Sequence, residues 1–275
     1  MSDIVILGAG TAGTIMANRL ARAYRREIAR GTTSVTVVDH DPDHVYQPGL
    51  LFVPFGKYSP AALTRNRRQT LAPRVRQLAA TIERVAAGDR LVHLDDGTSV
   101  PYDVLIVATG ARLAPEETEG LTGPGWRESV FDFYTMAGAM ALREKLARWE
   151  GGRLVVNIVD MPIKCPVAPL EFAFLADAFF AERGIRDRVD ITYVTPLDGA
   201  FTKPTCSKTL THMLADRGIS LVTEFATGSV DGAAGVLRSW DERDVAFDVL
   251  VTVPVHLGAE FIGRTPGLGD DSLFV

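Results

Sequence analysis

Residues 4–13 read Ile-Val-Ile-Leu-Gly-Ala-Gly-Thr-Ala-Gly, and this stretch decides the fold. Ile4–Leu7 is an uninterrupted apolar run, the pattern of a strand buried on both faces, and Gly8, Gly10 and Gly13 follow it at G-x-G-x-x-G spacing. The residues beyond predict a helix over Ala12–Arg30, with Ile15, Leu20 and Ile28 turned inward, and a second strand over Ser34–Val38 that ends at Asp39. In such a unit the first glycine permits the tight turn, the second lets a pyrophosphate approach the backbone, and the third lets helix pack on strand. The helix N-terminus adds unpaired N–H groups and positive potential. Gly8, Gly10, Thr11, Ala12 and Gly13 are therefore the candidate phosphate-binding residues. Asp39 is placed to bind a ribose hydroxyl, with His40 next to it. The competing reading is a glycine turn that serves the fold alone; the combination of strand, glycines, helix, strand and terminal acid argues against it.

Further along, Arg90–Tyr102 reads as a hairpin with Asp96-Gly97 in its turn, and it feeds the apolar strand of Asp103-Val-Leu-Ile-Val-Ala-Thr-Gly110. A hairpin followed by D-x-L-I-V-A-T-G resembles the closing segment of the flavin-binding domain in flavoproteins with two dinucleotide domains. The resemblance favours FAD over NAD at the first site and adds Thr109 and Gly110 to the cofactor residues. The chain then repeats itself. Arg153–Val159 echoes the first strand, Phe247–Pro254 echoes Tyr102–Thr109, and the spacing from Ile4 to Asp103 is close to that from Leu154 to Asp248. The expected organisation is an α/β fold of two Rossmann-like units: an FAD unit over 1–112, a Pro- and Gly-rich linker over 113–128, a second unit over 129–258, and the start of a return segment to the FAD unit over 259–275.

In the second copy the turn after the strand reads Asp160-Met-Pro-Ile-Lys-Cys-Pro-Val-Ala-Pro169, without glycine. Its side chains and prolines keep a pyrophosphate from the backbone, so nicotinamide nucleotide binding is not expected there. What stands in its place is Cys165, beside Lys164 and just before a helix. Both a helix N-terminus and an ammonium favour the thiolate. A buried structural cysteine is the alternative.

The glycine motif, the loop Val45-Tyr-Gln-Pro-Gly-Leu-Leu51, the Ala-Thr-Gly strand and Lys164-Cys165-Pro166 together resemble the sulfide:quinone oxidoreductases and the related flavocytochrome sulfide dehydrogenases over essentially the whole chain. The resemblance implies that Cys165 works beside the flavin with a second cysteine from a C-terminal third, taking sulfur from sulfide, and that the flavin then reduces quinone or a cytochrome. It adds Gln47 to the cofactor residues, implies peripheral contact with a membrane, and leaves a homo-oligomer open. Phe131 stands about where some members carry another cysteine. The family continues past this chain's last residues, so the chain is expected to be a fragment or a shortened relative that holds FAD weakly and lacks sulfide:quinone turnover.

Composition narrows the remaining classes. With 275 residues, 47% of them apolar, and a net charge of −5, the chain suits two medium domains and shows no basic excess for nucleic acid. No apolar run approaches the ~18 residues of a spanning helix, and no secretory signal is apparent. Two cysteines suit a reducing compartment, and a cytoplasmic location, peripheral at the inner face of a membrane, is expected. Whether Cys165 and Cys206 pair is open, with Cys206 favoured as a bystander. Glu171, early in the helix after Cys165, suits the helix dipole, or a proton-handling role beside Lys164 and Cys165. Phe172–Phe180 reads as core rather than a quinone channel, Arg65–Arg68 as a solvated face, and no histidine spacing suggests a metal. Three functions remain: a flavin-dependent sulfide oxidase, an NAD(P)H-dependent disulfide or persulfide reductase, and a non-catalytic flavoprotein-like subunit.

Overall fold

A computed structural model of the protein describes residues 2–275. The chain forms two compact units, the first built from residues up to Tyr46, Thr64–Arg112 and Leu257–Val275, the second from Gln47–Leu63 and Leu113–His256.

In the first unit, β1 (Ser2–Leu7), β2 (Thr33–Val38), β5 (Arg76–Leu78) and β9 (Val104–Val107) make a parallel sheet in the order β5-β2-β1-β9. The hairpin of β3 (Asp43–Val45) with β4 (Thr64–Asn66) and the antiparallel meander of β6 (Ile82–Ala86), β7 (Leu91–Leu94) and β8 (Ser99–Pro101) complete its strands. The apolar run of β1 is explained by its two faces. Ile4 and Ile6 pack with Ala17, Val35 and Val37, while Val5 and Leu7 pack with Val92, Leu94, Phe261 and Ile262. Each such side chain removed from water contributes roughly 1.5–3 kcal/mol.

The expected single helix is two, α1 (Thr11–Ala23) and α2 (Arg25–Ala29), divided at Tyr24. Its buried face is also different: Gly13, Ala17 and Ala21 lie inward, whereas Ile15 is 51% exposed. Small residues let the helix axis approach the sheet, and Leu20 and Ile28 reach the core only at its margin.

β10 (Arg112–Ala114) leads into the second unit, whose parallel sheet runs β11 (Val130–Phe131), β18 (Val249–Val253), β12 (Gly152–Ile158), β13 (Val189–Val194), β14 (Ile219–Val222). Helices α3 (Met136–Arg148), α4 (Ala168–Glu182) and α5 (Pro204–Asp216) connect it, and a second meander, β15 (Thr227–Asp231), β16 (Val236–Ser239) and β17 (Asp244–Ala246), precedes β18. The repeat extends to single hydrogen bonds. Asp103 accepts from the Asp3 N–H at 2.8 Å, and Asp248 accepts from the Arg153 N–H at 2.7 Å, so each closing strand is pinned to its opening strand by the same aspartate.

Two segments lie elsewhere than their sequence suggests. Leu113–Glu128 is no free linker: Glu119 bridges Ser229, its carbonyl accepts from Val230 N–H at 2.9 Å, and Leu121 is buried in the second core. Residues 47–63 belong to the second unit because Phe55 packs on Phe172 and Phe179 of α4, with ring centroids 5.0 and 5.6 Å apart. Phe172, Ala173, Ala176 and Phe180 are buried, which makes that face of α4 core. Among the described residues no helix is long and apolar enough to cross a membrane.

Candidate functional site

The turn from β1 to α1 is the three residues Gly8–Gly10, and each motif glycine has a distinct physical task. Gly8 has φ +94°, and a Cβ there would sit 2.5 Å from the Ala108 carbonyl oxygen. At Gly13 a Cβ would meet the Gly8 carbonyl oxygen at 1.9 Å, so the helix can lie this close only without a side chain. At Gly10 a Cβ would meet nothing within 4 Å. Gly10 is the N-cap of α1 and no side chain caps the helix, so the N–H groups of its first turn are left for a ligand or water. Open room over unpaired helix-terminal donors fits a pyrophosphate. Thr11 and Ala12 are exposed on the same turn, and Thr109 and Gly110 line a hollow of 350 Å³ with Ile262 and Phe274.

Asp39 closes β2 as expected, but its surroundings were not foreseen. Its Oδ2 accepts the Ala9 N–H at 2.6 Å, its Oδ1 accepts the Asp41 N–H at 3.0 Å, and Arg67 Nη2 lies 3.1 Å from Oδ1. Arg67 is thus no part of a solvated face: it is 6% exposed, because three acceptors turn it inward. Its Nε donates to the Asp41 carbonyl at 2.7 Å and its Nη1 to the Ala9 carbonyl. His40 points outward with its side chain largely exposed. Asp39, His40 and Asp41 are close enough to share a cation, but the guanidinium of Arg67 already supplies the positive charge between the two carboxylates.

In the second unit, residues 159–167 carry the chain from β12 to α4. Cys165 is a free, half-buried thiol three residues before α4, and its carbonyl accepts the Ala168 N–H at 3.2 Å and the Tyr134 hydroxyl at 2.8 Å. Tyr134 is fixed from below. Asp132, 1% exposed, accepts from Thr135 N–H at 2.7 Å and pairs with Arg127 at 2.8 Å, while Thr135 caps α3 by accepting the Gly138 N–H at 3.0 Å. Burial raises the Tyr134 phenol well above its ordinary range, with the Cys165 charge adding to the effect.

Lys164 extends its ammonium to within 3.4 Å of Gln47 Oε1 and 5.8 Å from the Tyr134 ring centroid. Loss of water around the ammonium lowers its pKa, and Asp132 opposes this. On another side of Tyr134, His256 sits edge-on with centroids 5.4 Å apart. No motif in the sequence marks His256. Its Nδ1 lies 3.0 Å from the Pro254 carbonyl, which fixes the proton on Nδ1 and leaves Nε2 a bare acceptor, buried and unpartnered. Burial lowers its pKa, and Lys164 lowers it further. The structure therefore gathers Tyr134, Lys164, Cys165, Gln47 and His256. Glu171 is exposed in the first turn of α4, and Cys206, exposed at the start of α5, forms no disulfide.

A glycine turn with an acid at the end of the next strand in one Rossmann-like unit, and a second such unit with a cysteine turn at the corresponding place, are the marks of the two-dinucleotide-domain oxidoreductase class. The chain belongs to the pyridine nucleotide-disulphide oxidoreductase family, which it matches over residues 2–159, more than half its length. Members of this family are FAD-binding flavoproteins, and the Gly8–Gly13 cradle with Asp39 fits that cofactor. The chain is 23% identical to the mitochondrial sulfide:quinone oxidoreductase of Mus musculus over 80% of its length and 47% of the mouse protein, and 23% identical to that of Dictyostelium discoideum over 98% of its length and 59% of that protein. The sulfide:quinone oxidoreductase structure from Aquifex aeolicus superposes with a TM-score of 0.82 at 19% identity, covering 98% of this chain and 62% of that one. The chain spans about half the length of these relatives.

Proposed function

We propose that this chain supplies the FAD-binding and sulfur-handling parts of an oxidoreductase that oxidises sulfide at Cys165 and passes the electrons to quinone. The observation that carries the reading is the contrast between the two copies of one unit, an open glycine turn in the first and Lys164-Cys165-Pro166 in the corresponding turn of the second. The names of the mouse, Dictyostelium and Aquifex proteins agree with it.

The Cys165 thiolate and hydrosulfide combine to a cysteine persulfide, releasing one proton and two electrons. Bound FAD supplies the two-electron acceptor. Lys164 offers a positive charge next to the thiol that draws in the hydrosulfide anion, and Glu171 or the bare His256 Nε2 takes up the proton. Tyr134 holds the Cys165 backbone in place through its hydroxyl. The second turn gives no backbone approach to a nicotinamide nucleotide, which supports sulfide over NAD(P)H as the electron donor.

The test is anaerobic addition of sodium sulfide to protein mixed with FAD, followed by mass spectrometry of the cysteine peptides and by flavin absorbance. A persulfide on Cys165 with loss of oxidised flavin is expected, abolished in Cys165→Ser and retained in Cys206→Ser. Equal loss in both variants would assign the chemistry to the wrong thiol, and flavin reduction by NADH instead of sulfide would replace this reading with a reductase.

A further inference from the structure

We propose that Arg67 is the positioning residue of the ribose site, holding the Asp39 carboxylate in the one orientation in which it accepts an adenosine ribose hydroxyl; the proposal rests on Asp39 being the ribose acid. Arg67 opens the short helix Arg67–Thr70, far along the chain from the glycine turn, and it is 6% exposed. A guanidinium taken out of water this completely is costly unless its donors are matched. They are matched by three acceptors from two separate stretches of chain: the Ala9 carbonyl in the glycine turn and, in the loop after β2, the Asp41 carbonyl and the Asp39 carboxylate at 3.1 Å. The arginine's own backbone is tied down as well, its N–H donating to the Pro42 carbonyl at 3.0 Å and its carbonyl accepting the Leu71 N–H at 3.1 Å.

The consequence falls on Asp39. A carboxylate offers about four acceptor sites. Ala9 N–H takes one on Oδ2 at 2.6 Å, and Asp41 N–H at 3.0 Å and Arg67 both act on Oδ1. About one acceptor site remains, on Oδ2, and its direction is set by the donors already in place. Each of the three guanidinium nitrogens already faces an acceptor and the side chain is only 7% exposed, which keeps it from serving as an open anion site. Arg67 therefore acts through Asp39 rather than by touching the nucleotide. A lysine cannot reproduce the arrangement, because one ammonium cannot span three acceptors that a planar fork reaches together.

The experiment measures binding of ADP and of 2′-deoxy-ADP to the FAD-free protein by calorimetry, and reads the ratio of the two affinities. A hydrogen bond to a charged group discriminates by about tenfold or more, so the unaltered protein is expected to prefer ADP by about that factor. In Arg67→Lys the ratio should fall toward one, as it should in Asp39→Asn. A purely structural role for Arg67 would weaken both ligands alike and leave the ratio unchanged, and that result would overturn the proposal. Arg67→Gln is the second variant should the lysine form fail to fold, and the ratio does not depend on the folded fraction. A ratio of one in the unaltered protein would remove Asp39 as ribose acid and the proposal with it, an outcome distinct from preference retained in Arg67→Lys.

Discussion

The turn after β1 and the turn after β12 follow the corresponding strand in two parallel sheets that share the order of four strands, yet the first leaves room over its helix start and the second is closed by side chains. Gly8–Gly10 keeps free space over the first turn of α1, whereas in 159–167 the Asp160 carboxylate takes the Met161 N–H at 2.7 Å and Tyr134 donates to the Cys165 carbonyl. The difference teaches that a duplicated fold preserves what joins its strands, the Asp103 and Asp248 pins, and is free to change what sits at the strand ends. Ligand chemistry lives at those ends.

The comparison breaks most visibly at the glycines, whose tasks separate. Gly13→Ala drives a Cβ into the Gly8 carbonyl, so we expect a loss of more than about 3 kcal/mol of stability in the first unit, read as a lowered urea midpoint with or without FAD. At Gly10 an added Cβ meets no atom within 4 Å, and the φ of −68° is an ordinary one, so Gly10→Val places its side chain in open room. It should leave the FAD-free midpoint within about 1 kcal/mol of the parent while cutting FAD affinity about a hundredfold. Wild-type FAD affinity in Gly10→Val would show that the open turn is not the phosphate site.

How far the sequence disclosed this is best judged residue by residue. The glycines, the two strands that echo each other and the cysteine turn were all readable, because each depends on neighbours within a few positions. Arg67 was not. In a run of Arg65-Asn-Arg67-Arg68 it looks like solvated charge, and only folding brings it against Ala9 and Asp39. Ile15 misled for a related reason: periodicity put it inward, but the close approach allowed by Gly13, Ala17 and Ala21 turned a different face to the sheet. The roles of Glu119 and Phe55 also depend on contacts with distant segments, which composition cannot report. His256 was visible only as a histidine after a strand; the Pro254 carbonyl that sets its tautomer is two residues away, but the burial of its other nitrogen comes from the tertiary fold.

That histidine gives the second unit an acid-side weakness. Its folded pKa lies below its unfolded value of ~6.5, so below that pH the unfolded chain binds more protons and stability falls as pH falls, by up to about 1.4 kcal/mol per pH unit. Above ~pH 7 both states hold it neutral and its contribution is constant. His256→Gln should therefore narrow the gap between urea midpoints measured at about pH 7.5 and about pH 5. An unchanged gap would mean that Nε2 gains a proton without cost.

The smallest expected effect is the sharpest statement about the second turn. Tyr134→Phe removes one hydroxyl from a carbonyl that keeps its bond from Ala168 N–H, so the loss should be about 0.5–1.5 kcal/mol. The phenylalanine ring retains the packing against Phe133, whose centroid is 4.9 Å away, and against His256. Stability alone would not separate a local anchor from ordinary packing, so the second readout is the alkylation rate of Cys165. If the turn's order comes from the Tyr134 hydroxyl, freeing the carbonyl loosens the segment that carries the thiol and the rate changes severalfold, while Cys206 on α5 reacts as before. An unaltered Cys165 rate at the expected stability loss would place the order of the turn in α4 and its proline-flanked entry, and Tyr134 would be a packing residue whose hydroxyl merely finds a partner.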